Sequence, residues 1–151
     1  MADELVLVDS NVLIRWLQPR DPLFPVIKAS IAHLAQAGAV LCYTSQNLGE
    51  FWNVLTRPVA RNGYGMTPEG ADRQARKVEA RFRLLADNLA VHTEWRRLLL
   101  AYRVSGVQVH DARLAAAMPV HGVRRILTLN KSDFARFDGI EALLPSDVLQ
   151  S

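Results

Sequence analysis

The stretch Leu5-Val6-Leu7-Val8-Asp9-Ser10-Asn11 decides the fold class. Its first four residues form a short continuous apolar run, the habit of a strand buried on both faces of a parallel sheet. Asp9, Ser10 and Asn11 then supply the short polar side chains that cap a helix. The local order is strand, acid, helix.

Working outward, the order recurs. Residues from about Leu23 to Ala37 read as a helix stopped by Gly38, and Val40-Leu41-Cys42-Tyr43 as a second buried strand. Thr44 or Ser45 can cap a third helix, whose Leu48, Phe51, Trp52 and Leu55 form its apolar stripe before Pro58 ends it. A loop is expected from Arg57 to Met66. A long helix follows from Thr67-Pro68, with Ala71, Ala75, Val78, Phe82 and Leu85 on one face and Arg73, Arg76, Lys77 and Arg83 on the other. A further helix is expected over Glu94 to Arg103, and Val107-Gln108-Val109 reads as a short strand or extended link. The next helix, from His110-Asp111, should finish or kink near Pro119, and Arg125 to Leu129 reads as another strand. This alternation predicts an α/β fold: a three-layer arrangement with a central, mostly parallel sheet of 4–5 strands and helices on both faces. No repeat or linker divides the chain, so residues 1–151 are expected to form a single domain.

The 151 residues are half apolar, with a formal charge of +3 and a pI near 9.4. No apolar run approaches the ~18 residues of a membrane span. Met1-Ala2-Asp3-Glu4 is acidic and lacks the basic region of a signal peptide, so a cytoplasmic address and no membrane partner are expected. The lone Cys42, among apolar neighbours, reads as a small buried hydrophobe. The basic balance permits nucleic-acid binding without requiring it.

Chemistry enters through the acids. Asp9 follows the first strand, Asp111 opens a late helix, and Asp133 follows the Arg125-Leu129 strand. In a parallel sheet the carboxyl ends of the strands share one edge, so acids distant in sequence should converge there. Glu50 can join them from within ~2 turns of its helix start. Each also has an ordinary structural use: Asp9 as a helix cap, Asp111 as a complement to a helix dipole, Glu50 as a solvated residue, Asp133 as part of a turn. It is the set that points to function. Four gathered carboxylates repel one another unless a cation sits among them, and Mg²⁺ or Mn²⁺ is the natural choice for hard oxygen ligands. Such a metal supplies what phosphodiester hydrolysis requires.

Three segments resemble the PIN-domain family, and within it the VapC-type toxins: Val8-Asp9-Ser10-Asn11-Val12-Leu13, His110 to Ala116, and Leu127-Thr128-Leu129-Asn130-Lys131-Ser132-Asp133-Phe134. Ser45 to Phe51 sits where that family carries its acid after the second strand. The resemblance covers nearly the whole chain. It implies a Mg²⁺ or Mn²⁺ site formed by Asp9, Glu50, Asp111 and Asp133, cleavage of RNA, a homodimer, and inhibition by a cognate antitoxin protein. It also makes Asn11 a polar helper and Ser45, Thr128 and Asn130 residues that orient a ligand or water.

An acidic pocket repels a polyanion, so RNA needs positive charge beside it; by chain position Arg57, Arg61, Arg113 and Lys131 are the candidates. Trp52 and Phe51 are expected in the core, Trp95 at a dimer interface or in a satellite of the core, and His110 as a helix-start residue. Two other readings compete. One is an inactive PIN-like domain that binds RNA or a protein partner. The other is a phosphatase with Asp9 as nucleophile, for which Asn11 stands where a second acid is needed as general acid.

Overall fold

The computed structural model describes residues 3–150; Met1, Ala2 and Ser151 lie outside it, and with them part of the acidic amino end read from the sequence. Five strands among the described residues carry the architecture: β1 (Leu5–Val8), β2 (Val40–Thr44), β3 (Arg83–Leu85), β4 (Arg125–Leu127) and β5 (Glu141–Leu143). They form one sheet in the order β3-β2-β1-β4-β5, and every pairing is parallel. The chain builds outward from β1 on one side and returns later to build on the other. The switch point of the sheet therefore falls between β1 and β4, where a crevice opens at the strand ends.

Among the described residues the seven α-helices are α1 (Ser10–Trp16), α2 (Phe24–Gln36), α3 (Ser45–Thr56), α4 (Pro68–Arg81), α5 (Leu89–Ala101), α6 (Gln108–Val120) and α7 (Pro145–Leu149). Side chains of β1 alternate between two cores, as strand geometry requires. Val6 and Val8 join Leu13, Ile27, Phe51, Leu55 and Ala75 of α1 to α4, together with Val148 of α7. Leu7 faces the other way, onto Leu114 and Met118 of α6 and Phe134. On that second side, Val91 and Leu98 of α5 pack on Ala112, Ala115 and Ala116 of α6, small residues that let the two helices approach closely. Phe51 is fully buried, Trp52 packs half-buried against the same core, and Cys42 is buried in the second one. No described helix is long and apolar enough to cross a membrane.

Four elements differ from the sequence expectation. The helix from Thr67-Pro68 stops at Arg81, and Leu85 lies in edge strand β3, not on that helix face. Phe82 has already turned extended and sets its ring edge-on to Trp16, with centroids 4.8 Å apart, while Arg83 to Leu85 pair with Cys42 to Thr44. Sheet pairing overrides the helical period there. Residues 107–109 are not a strand, because α6 already begins at Gln108. Helix α5 starts at Leu89 instead of Glu94, with Asn88 accepting from Val91 N at 2.9 Å as its cap. Strand β4 ends at Leu127, since Leu129 N turns to the Asn11 side chain. Strand β5 and α7, short and without strong periodicity, had no counterpart in the sequence reading.

Candidate active site

Asp9 is the hinge between β1 and α1. Its Oδ1 accepts from Ser10 N at 2.8 Å, its Oδ2 accepts from Thr128 Oγ1 at 2.8 Å, and its own N–H donates to Leu127 O at 2.9 Å. The carboxylate is thus a helix cap and a bridge to β4 together. Only 8% of the residue is exposed. Burial pushes its pKa up to about 6; the bonds from Thr128 and Ser10 resist this, and repulsion from Glu50 and Asp133 adds to it.

Glu50 stands in the second turn of α3. Ser10 Oγ donates to its Oε2 at 2.7 Å and Gln46 Nε2 to its Oε1 at 3.1 Å. Behind Ser10, the fully buried Asn47 donates from Nδ2 to Ser10 Oγ at 3.2 Å and accepts from Thr44 N at 2.9 Å in the cap of α3. Gln46 Nε2 also reaches His110 O at 2.8 Å, tying α3 to the first turn of α6, where Asp111 sits. Burial, followed by repulsion from Asp133, Asp9 and Glu50, lifts the Asp111 carboxyl to about 6, against a smaller opposing effect of His110. Asp133 closes the circle from a 3-10 turn, Lys131–Asp133, beyond β4.

All four acids line one open cleft of about 630 Å³, beside Asn11, Arg15, Arg57, Gly63, Tyr64 and Asn130. Asn11 Oδ1 accepts from Leu129 N at 3.3 Å, and Asn130 N donates to Thr128 Oγ1 at 3.0 Å, so both expected helpers brace the same strand end. As the side chains lie, no three His, Cys, Asp or Glu among the described residues are close enough to ligate one ion jointly. The bonds from Ser10, Gln46 and Thr128 hold Glu50 and Asp9 to their own walls. The donor set nonetheless suits a hard divalent cation, which takes one or two carboxylates and completes its octahedron with water.

The basic residues divide. Arg57 lines the cleft, and Arg15, which the sequence reading passed over, joins it while pairing with Asp21 at 3.4 Å. Arg61 is exposed in the 3-10 turn Val59–Arg61 and does not line the cleft. Arg113 pairs with Asp87 and covers the Trp95 ring at 5.6 Å, and Lys131 pairs with Asp147 at 3.0 Å, so both are engaged elsewhere. Trp95 is half-buried against the α5–α6 core, its Nε1 donating to Val109 O at 2.9 Å, which is the satellite-core position. Ser45 is exposed and does not line the cleft; Thr44 is the cap of α3. Ser10, Gln46 and Asn47 were not anticipated as site residues. Gln46 carried a usable signal, lying one helical turn before Glu50.

The fold and the cleft define a class: a doubly wound parallel α/β domain with an acidic crevice at its switch point. The sequence matches the PIN domain family over residues 6–140, and the chain belongs to that family. Among solved structures it is similar to VapBC2 from Rickettsia felis bound to a DNA fragment from its promoter, at TM-score 0.70 and 12% identity, covering 93% of this chain and 98% of that one. It is similar to DNA-bound VapBC from Salmonella typhimurium, at TM-score 0.68 and 16% identity, covering 94% and 98%. A third likeness is to VapC20 of Mycobacterium tuberculosis, a sarcin-ricin loop cleaving toxin, at TM-score 0.63 and 17% identity, covering 89% and 98%. At these identities the shared property is the fold. No curated protein matches by sequence.

Proposed function

We propose that the protein is a metal-dependent endoribonuclease, the toxin of a VapBC-type toxin-antitoxin pair. One observation carries the reading: carboxylates from four separate segments, Asp9, Glu50, Asp111 and Asp133, line a single cleft at the sheet's switch point, with Asp9 and Asp111 raised to about 6. Such a cluster is short of positive charge, and a small divalent cation is the economical remedy. Asp9, Glu50, Asp111 and Asp133 would hold Mg²⁺ or Mn²⁺, directly or through water. The ion would supply charge stabilisation at the attacked phosphate and a water activated for attack.

The chain's own residues do the rest. Thr128 and Ser10 fix the Asp9 carboxylate, and Ser10 and Gln46 fix Glu50, so the acids face the cleft in set orientations. Asn11 and Asn130 offer polar groups for water on the same wall, and Arg57, which forms no ion pair among the described residues, puts positive charge beside an otherwise repulsive pocket; Arg15 lines it too, its charge partly offset by Asp21. The similarity to a sarcin-ricin loop cleaving toxin supports RNA as substrate, and that to VapBC complexes supports a cognate antitoxin partner. The reading includes one domain, a homodimer and a cytoplasmic site of action.

Calorimetric titration of Mn²⁺ into wild type, Asp9→Asn and Asp111→Asn is the test, followed by an RNA-cleavage screen with and without chelator. Binding that drops at least about tenfold in both variants, with chelator-sensitive cleavage in wild type, is the expected result. Metal binding that ignores both substitutions would refute the reading; binding without cleavage of any cellular RNA would leave a domain that binds RNA or antitoxin only.

A further inference from the structure

The segment between α3 and α4 is a built wall of the acidic cleft. Four backbone bonds fasten it: Gly63 N to Pro58 O at 3.0 Å, Tyr64 N to Val54 O at 3.1 Å, Gly65 N to Arg57 O at 2.9 Å and Met66 N to Leu55 O at 2.8 Å. Asn62 takes the left-handed conformation, φ 63°, that turns the chain back on itself. Gly63 lies so close to Arg57 that a Cβ on it would stand 2.0 Å from Arg57 O. A segment held this tightly presents its side chains in fixed positions, at little entropic cost to whatever they bind.

Two of those side chains line the cleft beside the acids: Arg57 and Tyr64. Tyr64 is 37% exposed, and its ring takes part in none of the aromatic or cation–π pairs among the described residues. Its hydroxyl has no hydrogen-bond partner among them either. Arg57 donates from one terminal nitrogen to Asn62 O at 3.0 Å, its Nε is buried without a partner, and it forms no ion pair among the described residues, so the other terminal nitrogen is the one left for a ligand. A part-exposed aromatic ring with no ring partner and a guanidinium with no ion pair, lining the same carboxylate cleft, supply the chemistry that holds a nucleotide: a ring to stack on a base and a cation to meet its phosphate.

We propose that Tyr64 is the base-stacking platform of the substrate site, receiving an unpaired base next to the scissile phosphate while Arg57 holds the adjoining phosphate. This rests on the endoribonuclease reading and names the residue that would meet a base at the cut. A duplex would keep its bases stacked on one another and leave the ring unused.

Binding of a short, fluorescein-labelled single-stranded RNA of mixed sequence to the full chain, followed by anisotropy in EDTA so that no cleavage intervenes, tests it. Tyr64→Ala is expected to weaken binding about 5- to 100-fold. Tyr64→Phe should restore it to within about twofold of wild type and Tyr64→Leu should not, a separation that a merely space-filling role does not produce. Mn²⁺ affinity in the absence of RNA, measured in parallel, should be the same for all. Wild-type affinity in Tyr64→Ala, or equal rescue by Phe and Leu, overturns the stacking role while leaving the nuclease reading intact. A wild type that neither binds this RNA nor cleaves any removes both.

Discussion

Thr128 Oγ1 donates to Asp9 Oδ2 at 2.8 Å, joining residues 119 positions apart across the carboxyl ends of two neighbouring strands. The same oxygen accepts from Asn130 N at 3.0 Å, so one buried hydroxyl orients an acid and starts the turn that delivers Asp133. Replacing it with the isosteric Val removes both bonds and leaves a buried carboxylate with one partner fewer. We expect Thr128→Val to cost about 1–3 kcal/mol of stability, read from urea unfolding. The lost bond is one that lowers the Asp9 pKa, so the pH at which Mn²⁺ binding reaches half its maximum should move upward.

In the metal-free protein the folded state holds protons on Asp9 and Asp111 up to about pH 6, whereas the unfolded chain has released them by about pH 4. More protons on the folded side mean that stability falls as pH rises through that window. In chelator, the thermal midpoint should therefore be higher near pH 5 than near pH 7.5. For Asp9 the full difference is at most about 3 kcal/mol. Asp9→Asn keeps the helix cap and removes the charge, so it should raise the midpoint near pH 7.5 and flatten the slope. A slope unchanged in both Asp9→Asn and Asp111→Asn would assign the pH dependence to other groups.

Asn47 is fully buried and serves the cap of α3 and Ser10 together. Asn47→Ala strands Thr44 N without its acceptor and withdraws the donor behind Ser10. A loss of about 3 kcal/mol in chemical denaturation is expected. Ser10→Ala should be milder in stability, yet weaken Mn²⁺ binding by freeing the Glu50 carboxylate to swing.

Gly63→Ala forces a methyl group onto the Arg57 carbonyl, so the segment must open. Its cost should be about 1–3 kcal/mol in stability. RNA affinity should fall with it while Mn²⁺ affinity stays near wild type, because none of the acids is on that segment. Equal loss of both would mean that the wall and the carboxylate set are one mechanical unit.

Much of this was legible in the chain. Leu5 to Val8 announces a central strand because every side chain there is apolar, and Asp9 marks its end. The acids were legible as a set because parallel topology fixes where strand ends go. Other features depend on contacts that no local pattern records. Phe82 to Leu85 fits the helical period, and only β2 alongside turns Arg83 to Leu85 into a strand. Lys131 and Arg113 lie near site acids in sequence, but Asp147 and Asp87 pair with them. Ser10 could be read as a cap residue, yet its reach to Glu50 spans 40 positions and needs the α1–α3 contact to exist.

The central place of β1 also sets a clock. It is made well before one of its two neighbours, β4, which is Arg125–Leu127, more than a hundred residues further along the chain. At ribosomal speeds the wait is on the order of 10 s. Until then Leu7 lacks Ile126 and Phe134, and Asp9 lacks Thr128. A nascent chain therefore carries Asp9 and Glu50 long before it carries the strand and turn that complete their surroundings. Under the proposed nuclease function, activity would arise only once Asp133 has been made, which leaves that interval for an antitoxin to be at hand.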